Sequence, residues 1–232
     1  MIPSSAKQAR TYLYTNGWLA DRKGDFASEI LELATFHEAE AGEVIYTYGQ
    51  FTDGLYGVVS GLFAYSIAPN ERGPHTLFLF RPGFWFGEME IFDNREKTGS
   101  IIATRKSSYL HISRKSLVDL AKINPDTWRQ VGHLCSQHLE IAIGMFDDSI
   151  RRQSEKRVIA LLLWLGGVRH SQNPADPHPE IDITQADLAR LSSMSRPSVN
   201  AHLKRLASEN LLEHAYGCIR LLQVERLRQM LD

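Results

Sequence analysis

The sequence is poor in cysteine. Cys135 and Cys218 are the only two in 232 residues and stand far apart, which excludes a disulfide framework and a four-cysteine zinc or iron–sulfur site built within one chain. Long apolar runs are also missing. None reaches the roughly 18 residues that span a bilayer, so no membrane partner is expected. The opening MIPSSAKQAR lacks the apolar core of a secretory signal, and the expected location is the cytoplasm. No strand-like run carries a His-x-His pair, no Ser/His/Asp grouping stands out, and no glycine loop has the form that cradles a phosphate. A metal-dependent barrel enzyme needs two or three clustered inward ligands, so the expectation is a protein that is not an enzyme and has no metal site. No internal repeat or low-complexity tract is present.

What is there is an ordinary composition, unevenly placed. Hydrophobic residues make up 43% and charged residues 23%, the balance of a folded globular protein, and the length suits about two domains. The net charge of −1 hides a split. Residues 1–150 carry 14 Lys and Arg against 18 Asp and Glu, a balance of −4; residues 151–232 carry 12 against 9, a balance of +3. The basic excess is concentrated in 184–206, where Arg190, Arg196, Lys204 and Arg205 face Asp187 alone. DNA affinity rests largely on neutralised phosphates, so double-stranded DNA is the expected partner.

That basic segment has a pattern. ITQADLARLSSMSRPSVNAHLKRLASENLL (183–212) predicts two short helices joined by a tight corner. Ala186, Leu188, Ala189 and Leu191 form the inward side of the first; Val199, Leu203 and Leu206 recur at helical spacing in the second. Thr184 and Ser195 are placed to cap the two helices, and Pro197 falls in a first turn, where its missing N–H breaks no intrahelical bond. This is the layout of a helix-turn-helix, whose second helix enters the major groove.

Upstream, residues 1–37 read as amphipathic helix. From Glu38 to Ser113, short β-prone runs (VIYTY, LYGVVSGLFAYSIA, HTLFLF, FWF, SIIATR, SSYLHIS) alternate with glycines, the spacing of a small barrel or sandwich. A short helix after Ser113 ends at Asn124-Pro125. A longer one, from Asp126 to about Ile150, carries two apolar series: Val131, Leu134, Ile141 and Met145, and Leu139, Ala142 and Phe146. One face can pack on the barrel and the other on a second copy of the helix. After the polar break at Arg151–Gln153, Ser154 is placed to cap an apolar helix ending at Gly166-Gly167. A proline-rich loop (170–180), a hairpin turning at Tyr216-Gly217 and a last helix from Val224 to Leu231 complete the chain. A hairpin behind a helix-turn-helix is a wing.

Three segments, AGEVIYTYGQFTDGLYGVVSG (41–61), FRPGFWFGEMEIF (80–92) and TQADLARLSSMSRPSVNAHLKRLASENLLE (184–213), stand in the order and at the intervals of the Crp–Fnr bacterial transcription regulators, which the chain resembles over nearly its whole length. The resemblance implies an α+β fold: a jelly-roll-like double-stranded β-helix barrel of cyclic-nucleotide-binding type over 1–124, a dimerisation helix over 125–152, and a winged helix-turn-helix over 153–232. It also implies a homodimer that binds a pseudo-palindromic site, with RNA polymerase as a further partner.

The resemblance places the serine–arginine start of the recognition helix at Ser195 and Arg196, where Arg196 can grip a guanine edge in bidentate fashion. The family's cytosine-reading glutamate is Pro197 here, and a later arginine is Ala201, so the expected operator differs from the best-known one. Ser198 and Asn200 remain as base readers, Asn200 suited to adenine. Thr184, Gln185, Lys204 and Arg205 are phosphate candidates. Ser193 stands in place of the usual corner glycine, and His202 is expected to be partly buried and structural.

For the sensor, the resemblance maps the glycine–glutamate pair that holds a cyclic nucleotide's ribose onto Gly87 and Glu88. The arginine–serine pair that holds the phosphate maps onto Thr98 and Gly99, which lack the cation; Lys97 and Arg95 are the nearby replacements. The helix positions that offer hydroxyls to adenine map near Ala142 and Ile143. Two of three elements are absent, so the expected effector is not cyclic AMP and no cofactor is assigned. Glu88 is otherwise expected to accept bonds from turn N–H groups. The alternative is a metal- or haem-dependent barrel, sensor or enzyme, drawing on His75, His111, His133 or His138. His138 is expected on the pairing face of the long helix, three residues from Cys135.

Overall fold

A computed structural model describes residues 5–231 except 21, 23–24, 52, 68–74, 171–177 and 216. Residues 1–4, Ala68, most of the proline-rich loop and the hairpin turn at Tyr216 lie outside the described residues. Two units form, Met1–Leu139 and Glu140–Asp232, with the division inside one long helix.

The first unit opens with α1 (Ala6–Thr15), capped by the Ser5 hydroxyl, and α2 (Asp25–Glu32), with a tight turn at Gly17–Leu19 between them. Eight strands follow: β1 (Thr35–Ala39), β2 (Val44–Tyr46), β3 (Gly54–Ser60), β4 (Phe63–Ile67), β5 (His75–Phe80), β6 (Trp85–Phe86), β7 (Ser100–Ala103) and β8 (Ser107–Ser113). They make two four-stranded antiparallel sheets, ordered β1-β8-β3-β6 and β2-β7-β4-β5. The expected α+β fold with an N-terminal barrel is what forms. β1 corrects the helical reading of residues up to His37. Thr35 to Ala39 pair with His111 to Ser107, a partnership that local helical spacing does not reveal.

Side chains alternate across each strand. On β8, Leu110 and Ile112 point to a core shared with Leu13, Trp18, Ile30 and Leu31 of the N-terminal helices. Tyr109, the residue before Leu110, faces the opposite way and packs against the barrel interior with Tyr46, Tyr56, Phe63, Phe80 and Phe86. Each fully buried leucine contributes roughly 2 kcal/mol. α3 (Arg114–Ile123) starts at the Ser113 cap, whose hydroxyl accepts from Ser116 N at 3.0 Å. It stops before Pro125.

α4 (Asp126–Ser149) is 24 residues long. In the first unit its Val131 and Leu134 are buried in the helix-side core. Leu139, Ala142, Ile143 and Phe146, and Ile150 just past its end, stay exposed, Leu139 at 61% and Phe146 at 69%.

In the second unit, the end of α4 is tied to α5 (Ser154–Leu165) and its flank. Buried Asp148 accepts from Trp164 Nε1 at 2.8 Å, Arg169 Nε at 2.9 Å and Arg151 Nε at 2.7 Å. α5 is buried from Val158 to Leu165. Its N-cap is Gln153 and not Ser154; the Ser154 hydroxyl lies 3.1 Å from His202 Nε2 instead. Next come β9 (Glu180–Asp182), α6 (Gln185–Leu191), α7 (Arg196–Ser208), β10 (Leu212–Ala215), β11 (Cys218–Leu221) and α8 (Val224–Gln229). The wing is a three-stranded sheet, β10-β11-β9; β9, at the end of the proline-rich loop, adds a strand that the expected hairpin lacked.

Candidate DNA interface and sensor interior

The helix-turn-helix is built by hydroxyls acting over three residues. Thr184 Oγ1 accepts from Asp187 N at 3.0 Å and starts α6; Ser195 Oγ accepts from Ser198 N at 3.3 Å and starts α7. Between them Ser193 sits at φ +54°, a left-handed conformation that costs a non-glycine residue roughly 1 kcal/mol. The buried Ser192 hydroxyl donates to Leu188 O at 2.7 Å, and Met194 N to Ala189 O at 2.9 Å. Leu188, Ala189, Val199, Leu203 and Leu206 are buried. Ala186 is not: it lies on the exposed side of α6, one position off the inward stripe.

α7 turns its other face outward. Ser195, Arg196, Pro197, Ser198, Ala201 and Lys204 are exposed, and Asn200 is half-buried beside them. Thr184 is exposed and Gln185 half-buried at the start of α6. The cations divide into two kinds. Arg190 is held by Asp187 at 2.5 Å, and Arg205 by Glu155 and, at 4.0 Å, by Glu209. Arg205, a phosphate candidate from the sequence, is thus paired with Glu155 while its side chain stays half exposed. Among the described residues Arg196 and Lys204 have no carboxylate partner. Ser195 and Ser198 are occupied with each other, their hydroxyls 2.8 Å apart. His202 is half-buried as expected, 3.9 Å from Glu155.

In the barrel, Gly87 sits at φ +100° against Gly54 O, a place no side chain could occupy without displacing backbone. It turns the chain so that Glu88 points inward, 3% exposed. Its partner is not a turn N–H. His138 Nδ1 donates to Glu88 Oε1 at 2.6 Å, and the imidazole stacks on Phe84 with centroids 4.6 Å apart. His138 therefore faces the barrel and not the exposed apolar side of α4 on which it was expected. Thr98 is engaged by a residue that sequence reasoning passed over. Glu90, 4% exposed, accepts from both Thr98 N (3.2 Å) and Thr98 Oγ1 (3.0 Å). The signal was available as a second acidic residue two positions after Glu88 in an otherwise apolar run. Thr98 Oγ1 also lies 2.9 Å from Tyr65 OH, and the Tyr65 ring fills the space that a Cβ on Gly99 would enter.

Lys97 is 1% exposed. Its Nζ lies 3.9 Å from Glu90 Oε2 and 4.4 Å above the Tyr46 ring, with no hydrogen-bond partner among the described residues. Burial pushes its pKa down against the opposing pull of Glu90, Asp53 and Glu88. Arg95 points elsewhere, 3.3 Å from Asp93 on the exposed side. The Cys135 thiol is pushed up to about 11 by burial and by Glu88, which keeps it protonated and unreactive. Among the described residues no three His, Cys, Asp or Glu side chains come together as a metal site, and no helix is long and apolar enough to cross a membrane.

A β-barrel of this topology, followed by a winged helix-turn-helix with exposed cations on its second helix, defines the class of two-domain DNA-binding regulators. The comparisons agree. Residues 36–124 match the cyclic nucleotide-binding domain and residues 156–230 the Crp-like helix-turn-helix domain. The chain is 28% identical over 192 residues to the cyclic AMP receptor protein of Thermus thermophilus, covering 82% of this chain and 84% of that protein. It is 24% identical over 185 residues to the cAMP-activated global transcriptional regulator CRP of Salmonella typhimurium, covering 78% and 86%. Its fold is that of FixK2 from Bradyrhizobium japonicum (TM-score 0.68, 20% identity, 86% of this chain and 97% of that one) and of the global regulator CLP from Xanthomonas campestris (0.62, 19%, 84% and 97%). The chain belongs to the Crp–Fnr family of transcription regulators.

Proposed function

We propose that this regulator works in the cytoplasm as a homodimer on a pseudo-palindromic DNA site, with RNA polymerase as its further partner. In this reading 1–124 is the sensor, 125–152 the pairing segment and 153–232 the DNA-binding part. Two copies of α4 pair through Leu139, Ile143, Phe146 and Ile150, which recur at helical spacing and are exposed. Each α7 then enters a major groove, the two grooves about 34 Å apart. Arg196 reads guanine, Asn200 is aimed at adenine, and Lys204, Gln185 and Thr184 lie toward phosphate. Ser195 and Ser198 hold the helix start.

The observation that carries the reading is the outward face of α7, where Arg196 and Lys204 stand exposed without carboxylates. Selection from random duplex DNA tests it. An enriched inverted repeat is expected. A single asymmetric half-site would remove the dimer from the reading, and absence of enrichment would remove DNA recognition.

The effector is not cyclic AMP in this reading. Glu88 is taken by His138, the Thr98 amide and hydroxyl by Glu90, and an incoming phosphate would lie near two buried carboxylates with Lys97 as the buried cation. Titration calorimetry with cyclic AMP is expected to give no binding heat; micromolar binding would overturn this part alone.

A further inference from the structure

The outward face of α7 has an apolar centre. Val199, Leu203 and Leu206 form the buried stripe of the helix. At about 3.6 residues per turn, the positions across from that stripe include Pro197 and Ala201. Both are exposed, and neither side chain has a donor or an acceptor. Polar groups lie to the sides: Arg196 and Asn200 along one edge, and Ser198, already bound to Ser195, along the other. The part of the helix set to go deepest into a groove thus offers a proline ring and a methyl group. Both are rigid, so no rotamer entropy is lost on contact.

We propose that Pro197 and Ala201 recognise the C5-methyl groups of thymine, so that the half-site bound by this chain carries thymines beside the guanine read by Arg196. The inference rests on α7 being the recognition helix and names the base chemistry that it accepts. Thymine alone presents an apolar group in the major groove. A proline ring or a methyl pressed against guanine, cytosine or adenine edges strips water from donors and acceptors and returns no hydrogen bond, which penalises those bases. Against thymine the same contact buries two apolar surfaces. Residues 197 and 201 are about 6 Å apart along the helix, comparable to two base steps of about 3.4 Å. One α7 can therefore cover two methyls.

The test uses the full chain and the site selected from random duplex DNA. Each thymine of a half-site is replaced in turn by deoxyuridine, which pairs identically and lacks only the methyl. Two thymines near the Arg196 guanine are expected to lose about three- to fivefold in affinity each, the effect of one buried methyl, while deoxyuridine elsewhere has no effect. Ala201→Gly is expected to erase the penalty at one of the two and keep it at the other, with the guanine preference unchanged. G·C pairs at every selected position beside that guanine, or deoxyuridine binding as thymine does at every position, would overturn the proposal. Failure to enrich any duplex would overturn the recognition-helix reading, and the thymine assignment with it.

Discussion

His138 on α4 donates its Nδ1 proton to the buried carboxylate of Glu88, 2.6 Å away, while its ring lies flat on Phe84. A helix residue thereby supplies the hydrogen bond of a carboxyl group that is only 3% exposed. His138→Ala leaves Glu88 buried and unpaired and removes the stacked ring. It is expected to destabilise the first unit by about 2–4 kcal/mol. Amide hydrogen exchange in β3 and β8 reads the loss; unchanged protection would mean that the pair contributes nothing.

Arg196 and Lys204 are expected to fail in different ways. Arg196→Ala should cost about 1–3 kcal/mol of binding and relax the preference at one guanine. Lys204→Ala should weaken all sequences alike and lower the slope of log affinity against log salt by about one. Fluorescence anisotropy on matched and mismatched duplexes, over a salt series, separates the two.

The exposed row on α4 gives a direct test of pairing. Phe146→Glu puts a charge in the centre of the expected dimer face and leaves the residues buried within each unit untouched. Sedimentation velocity is expected to find dimers of the parent chain and monomers of the variant, with the circular dichroism of the two alike.

Asp148 sets an acid limit on the second unit. Burial works to raise its pKa, but Arg169, Arg151 and Trp164 together hold it below the usual carboxylate range. A carboxyl that is the stronger acid when folded contributes fully above its unfolded value near 4 and loses that contribution as pH falls through the lower folded value. Thermal melts of the parent chain should therefore fall below about pH 4, and Asp148→Asn should flatten that part of the profile.

Ser193 holds φ +54° without being glycine. Ser193→Gly is expected to raise the stability of the second unit by roughly 1 kcal/mol, measured by urea denaturation. A loss of stability would mean that the serine side chain contributes more than its backbone strain costs.

Caps were legible where their partners are near in sequence. Thr184 and Ser195 each bond an amide three residues on, and a short hydroxyl ahead of an apolar helical pattern is enough to predict that. Ser154 has the same local signature and a different fate, because the ring of His202, 48 residues away, takes its hydroxyl. β1 and β9 escaped notice for a related reason. Five and three residues are too few for a period to stand out, and each is a strand only through a distant partner, β8 or β11.

The sequence by itself determined the order of barrel, long helix and winged helix-turn-helix, the stripe Val199–Leu203–Leu206, and the loss of polar groups at Pro197 and Ala201. The first two follow from periodicity, capping and composition, which are local; the third follows from the resemblance to the Crp–Fnr recognition helix. Only the tertiary structure decided that Glu88 belongs to His138, that Glu90 holds Thr98, that Lys97 is buried beside Glu90, and that Arg205 belongs to Glu155. Which charge meets which, once desolvated, depends on folding bringing together residues up to 50 positions apart.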